Sequence, residues 1–84
     1  AELVVSGMSE PPPGQVYELW TERAGEPPRP TDALFTVTSA GKATVEVPGG
    51  LRGVSGVMVT REPRGGSSVP SAAAVLRVSV PRHS

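Results

Sequence analysis

Proline and glycine constrain the folding of this chain more than any other feature. Ten of each fall among 84 residues, breaking the chain into short runs that suit a helix of ordinary length poorly. No window of eleven residues carries an apolar period near 3.6. Within the runs the apolar residues recur at every second position, the period of a pleated strand. Thirteen Val and six Thr with no Ile supply β-branched side chains that favour strands over helices. Gly and Pro together stay just below the proportion at which disorder becomes the expected state. The chain is therefore read as all-β, a small antiparallel β-sandwich or partly closed barrel of about six to seven short strands. Residues 1–80 are expected to form a single β domain and residues 81–84 a tail.

Six runs carry the pattern. Glu2 to Ser6 is a short apolar strand stopped by Gly7. Val16 to Glu22 alternates most clearly: Tyr17 and Leu19 share one side, while Val16, Glu18, Trp20 and Glu22 share the other. An irregular break with Gly25 and three prolines, Arg23 to Asp32, precedes Ala33 to Thr38, where Ala33, Phe35 and Val37 face together. Ser39 to Lys42, with Gly41, has the make-up of a hairpin loop, so the spacing predicts that 33–38 pairs directly with 43–47. Pro48 ends that strand. Gly56 to Arg61 and Ala74 to Val80 complete the set. The Gly-, Ser- and Pro-rich stretch from Glu62 to about Ala72 lies between them. No helix follows Gly65-Gly66-Ser67-Ser68, so this stretch is read as a surface loop rather than a phosphate cradle. Its prolines and paired glycines imply specific backbone angles, and it is expected to pack back on the sheet.

The inventory of reactive groups is poor. Eight basic and eight acidic residues give zero formal charge, which offers no basic face to a nucleic acid. Cysteine is absent, so there is no disulfide, thiolate zinc site or cysteine nucleophile; both a reducing compartment and a secreted domain fit. No run approaches the ~18 apolar residues of a membrane span. A chain of this size buries ~62% of the surface its unfolded form exposes, enough for one modest core and for no cleft between two domains. His83 is the only histidine and sits in the expected tail, where no base can be held rigidly against a nucleophile. Glu18 and Glu22 share a face but stand ~13 Å apart along a strand, too far for a glycosidase pair. They are read as part of a solvated polar face, with Glu46 or Glu62 left as possible neighbours from another strand. A single Asp, Asp32, rules out a calcium loop built from several. The expectation is a non-enzyme with no catalytic, cofactor-binding or metal-binding residues.

Three aromatic residues exist. Tyr17 and Phe35 fall on apolar faces and are read as core. Trp20 shares its side with two glutamates and is also read as core, covered by a loop. Tyr17, Leu19 and Trp20, then Phe35 after a Pro-rich gap, Gly41 in a turn, and Val45 with Pro48 form one block. Val59 through Glu62, Pro63, Gly65, Gly66 and Ser67, with Pro70 beyond, form a second. In order and spacing the two blocks resemble the extracytoplasmic C-terminal domain of the anti-sigma-K factor family, over about Leu3 to Leu76. Ser71 and Ala72 depart from the Thr and Gly expected after Pro70, and Ala33 stands where Gly is usual.

The resemblance implies a regulatory membrane protein. Such proteins hold an extracytoplasmic-function sigma factor inactive through a cytoplasmic segment, cross the membrane with one helix, and place this domain outside. Stepwise proteolysis by a membrane protease cascade then releases the sigma factor. Neither the sigma-binding segment nor the membrane helix falls within these 84 residues. An initial Ala rather than Met fits an excised piece of such a protein. A secreted carbohydrate-binding or adhesive β-sandwich is the alternative, with an exposed Trp20 stacking on a sugar ring.

Overall fold

Alternation along each run decides which side chains meet, and the result is two antiparallel sheets packed face to face. The computed structural model describes residues 1–80; the tail expected at 81–84, with His83, lies outside the described residues. The strands are β1 (Glu2–Val5), β2 (Gln15–Glu22), β3 (Arg29–Phe35), β4 (Ala43–Glu46), β5 (Gly56–Pro63) and β6 (Ala74–Ser79). There is no helix among the described residues. A two-stranded sheet pairs β1 with β4, and a four-stranded sheet runs β3-β2-β5-β6. The sheets do not close into a barrel, so the architecture is the sandwich of the two expected forms.

The core lies between the sheets. Leu3 and Val5 of β1 and Val45 of β4 point inward, with Leu3 directly opposite Val45. Tyr17 and Leu19 of β2 face them beside Val57 and Val59 of β5, with Leu19 opposite Val59. Val37, Val47 and Val54 fill in from the connections, and Phe35 and Leu76 pack against the edge of the cluster. Each such side chain stabilises the fold by about 1.5–3 kcal/mol when fully buried. The Tyr17 and Phe35 rings lie 5.6 Å apart, within the range of a favourable aromatic pair. The Tyr17 hydroxyl donates to the carbonyl of Ser9, which satisfies its polar end. The accessible surface, 5349 Å², exceeds the ~4,700 Å² that scaling gives for this mass. The core is thin, and each of its members matters accordingly.

Two sequence expectations are corrected. The segments 33–38 and 43–47 do not form a hairpin ladder. Residues up to Phe35 pair with β2, whereas β4 pairs with β1. The turn exists: the Thr38 N–H donates to Lys42 O at 2.9 Å and the Gly41 N–H to Thr38 O at 2.8 Å. It carries the chain from one sheet to the other, and Val37 drops into the core at the crossing. Alternation identifies an apolar face but not the strand beside it. The irregular break is also shorter than expected, because Arg29 already belongs to β3. β3 is an edge strand, paired with β2 on one side only, and a strand proline such as Pro30 is tolerated at such an edge.

Between Glu18 and Trp20 the β2–β3 register slips. Asp32 adopts a left-handed φ of 64° there, and the Thr31 hydroxyl donates to Leu19 O at 2.7 Å in place of a ladder bond.

Gly41 fixes the crossover geometrically. Its φ is +75°, and a Cβ there would lie 2.6 Å from the carbonyl oxygen of Met8, whose own N–H donates to Gly41 O at 3.1 Å. Gly41→Ala is expected to lower stability by about 1–3 kcal/mol through backbone strain and this clash. Urea unfolding measures it, and an unchanged midpoint would contradict the geometry.

Candidate functional site

The opposite face of the larger sheet is where the polar residues collect. Antiparallel register places Glu18 opposite Thr60, Trp20 opposite Met58 and Val16 opposite Glu62, so these side chains share the face turned away from the core. Among the described residues no strand covers this face. The segment from Arg64 to Ser71, leaving the end of β5 and returning to β6, is hydrogen-bonded onto it. Trp20, Thr60 and Glu62 are 0% exposed and Glu18 is 2% exposed. The expectation that Glu18 and Glu22 line a solvated face fails for Glu18. Glu22 is half-buried and pairs with Arg77 at 3.2 Å.

Glu62 is the hub. Its carboxylate accepts the Thr60 hydroxyl, the Ser67 hydroxyl at 2.8 Å, the Ser71 hydroxyl, and the Ser71 N–H at 3.1–3.2 Å to both oxygens. The Thr60 Oγ1 in turn accepts the Trp20 indole N–H at 2.9 Å. Indole N–H can only donate and an ionised carboxylate can only accept, so the Thr60 hydroxyl has one orientation. Ser67 links the two buried acids, because its N–H donates to Glu18 Oε1 at 2.8 Å. Among the described residues no fully buried side-chain polar atom is left without a partner.

The two carboxyl groups sit in different electrostatic surroundings. For Glu62, burial by itself would raise the pKa. The hydroxyls of Ser71, Thr60 and Ser67 and the Ser71 N–H outweigh it and hold the group below its ordinary value. For Glu18, burial dominates and raises the pKa, the Ser67 N–H offsets part of this, and the charges of Glu62 and Asp32 add to the rise. Glu18 also borders an open groove of about 460 Å³ with Pro30, Asp32, Leu34 and the loop residues Gly66 and Ser67.

The residues of the two sequence blocks divide between the faces. Tyr17, Leu19 and Phe35 belong to the core side; Gly41 holds the crossover turn, and Pro48 is an exposed residue just after β4. Trp20 and Glu62 belong to the far face. Pro63 ends β5 and its carbonyl accepts the Gly66 N–H at 2.9 Å. Gly65, Gly66, Ser67 and Pro70 form the segment over that face. Gly66 has a φ of +81°, and a Cβ there would lie 3.1 Å from Glu18 Oε1 and 3.0 Å from Leu34 Cδ2. Sequence reasoning missed Glu18, Thr60 and Ser71 as members of this cluster. The parity of 18 with 20 and of 60 with 62 was available, but which strands are neighbours was not. Ser71, noted only as a departure from an expected Thr, retains the hydroxyl that Glu62 uses.

A family model for the C-terminal region of the anti-sigma-K factor rskA matches residues 1–78. This chain belongs to that family. It is thus a domain of an anti-sigma factor, matched across almost its whole described length. No curated protein and no solved structure matches the chain. The second block that suggested the family in sequence is, in the anti-sigma factor domain, the segment anchored by Glu62.

The acids act on stability with opposite pH dependence. The contribution of Glu62, whose pKa is depressed, is complete above the ordinary value of 4.5 and is lost as pH falls through its folded-state value. That of Glu18, whose pKa is raised, is complete below 4.5 and is lost as pH rises through its folded-state value. At pH 7, Glu62→Gln should lower stability by about 3 kcal/mol through lost charge-assisted hydrogen bonds. Glu18→Gln keeps a carbonyl for Ser67 and should raise stability, with the gain shrinking toward pH 4.5. Urea unfolding at pH 7 and pH 4.5 checks both, and shifts of the same sign at pH 7 would contradict the assignment.

Proposed function

We propose that this domain is the extracytoplasmic sensory and regulatory part of a membrane-anchored anti-sigma factor. In this reading the intact protein holds an extracytoplasmic-function sigma factor inactive through a cytoplasmic segment, until regulated proteolysis releases it. The family match over residues 1–78 carries the proposal. Physical support comes from the sandwich. Proteases take substrate as extended chain, and a paired sheet core withholds its backbone from them. A folded domain next to a cleavage site therefore controls access to it.

The domain is proposed to work without catalysis. Both oxygens of Glu62 are engaged by hydrogen bonds, and the buried Trp20 is joined to the same network through Thr60. The sugar-binding alternative needs an exposed aromatic platform, but Trp20 is 0% exposed, Tyr17 is buried and Phe35 is half-buried.

The test uses the full-length protein in its own cell. Trp20→Ala removes a fully buried indole, at a cost of about 3–5 kcal/mol, and should accelerate cleavage and raise sigma-dependent transcription. Protease added to cells stripped of their outer layers should reach the domain without lysis. Unchanged cleavage and transcription with a destabilised domain, or a domain reached only after lysis, would contradict the proposal.

A further inference from the structure

The segment between β5 and β6 is attached to the sheet in an unusual manner. Its start is fixed by the main chain, through the Arg64 N–H to Gly14 O at 3.0 Å and the Gly66 N–H to Pro63 O. From Ser67 to Ala73 no backbone-to-backbone hydrogen bond ties it down among the described residues. Apolar burial holds it little either: Val69 is 66% exposed, Ala72 and Ala73 are exposed, and Pro70 is half-buried. What fastens it is two carboxylates, Glu62 through Ser67 and Ser71, and Glu18 through the Ser67 N–H. Trp20 lies on the face beneath, joined to the same latch through Thr60.

We infer that residues 67–73 are a releasable strap, which detaches from the outer face of the larger sheet when Glu62 takes up a proton, exposing Trp20 while the sandwich stays folded. Protonation replaces an acceptor with a donor at one Glu62 oxygen, so that the Thr60, Ser67 and Ser71 donors can no longer all be satisfied. The lost bonds belong to the strap and its latch, whereas the core between the sheets contributes none of them. The stability of such a unit is independent of the global fold to the extent that few contacts join them.

The charged groups around Glu62 set the direction. Glu18 from β2 and Asp32 from β3 are acidic and act on one another. Thr60 from β5 is neutral. Arg77 from β6 is engaged with Glu22 and with the Met58 sulfur, and Arg64, ahead of the strap, is exposed. The depressed pKa of Glu62 places release on the acid side of 4.5. Glu18, with a raised pKa, is protonated before Glu62 as pH falls.

This inference stands apart from the sigma-factor proposal and is tested on the chain alone. Trp20 is the only tryptophan, so its emission reports the strap, while far-ultraviolet circular dichroism reports the sheets. As pH falls below 4.5, Trp20 emission should red-shift and the Ser67 and Ser71 amides should lose exchange protection before the sheet signal is lost. The opening constant should rise by at most about tenfold per pH unit as pH falls from 4.5 toward the depressed Glu62 pKa, and level off below it. Glu62→Gln should show the exposed emission at pH 7 with the sheet signal retained. The double variant Ser67→Ala with Ser71→Ala spares both carboxylates and should open at a higher pH than the parent. Loss of emission and sheet signal in one transition, in the parent and in the double variant, would overturn the strap. Native emission in both variants down to the pH of global unfolding would overturn it as well.

Discussion

A single ionised carboxylate organises half of this domain. Glu62 is wholly buried, a state that costs several kcal/mol for a charge without partners. Hydroxyls from Thr60, Ser67 and Ser71 and the Ser71 amide offset that cost by donating to it. Three of those four donors come from the segment that covers the face. The charge therefore requires the segment to be closed, and the segment has little else to hold it. Trp20, through Thr60, is oriented by the same group.

The larger sheet consequently has two faces of different character. One is dry, lined by Tyr17, Leu19, Val57 and Val59, and packed against β1 and β4. The other is polar beneath its cover, with Glu18 and Glu62 drawn to opposite protonation behaviour by their surroundings. In an anti-sigma factor domain this separates two tasks. Apolar burial keeps the scaffold intact across conditions, while hydrogen bonds to charge respond steeply to protonation.

Much of the fold was legible in the sequence. Period-two alternation between glycines and prolines located all six strands to within a few residues and assigned Tyr17 and Leu19 to the apolar face, while Trp20, on the other face, is read as core only through a covering loop. Pairing was less accessible, because alternation is the same whichever strand lies alongside; hence β4 was assigned to β3 rather than to β1. The outer-face cluster was legible only in part. Glu62, Gly66 and Ser67 stood out as a block with specific turn chemistry. Glu18 was read as solvated, because a carboxylate beside a strand-borne Trp gives no local sign that a loop 49 residues away will close over it. Thr60 carries no signal of its own, since a hydroxyl on a strand is ordinary until the indole and the carboxylate appear on either side of it.

The central claim concerns the protonation states of two buried acids, and carboxyl-carbon NMR titration reads them individually. With the side-chain carboxyl resonances of Glu18 and Glu62 assigned, the account predicts that Glu62 titrates below the ordinary carboxylate value while Glu18 titrates above it. Coincident titration of both groups near 4.5, or the reverse order, would contradict it.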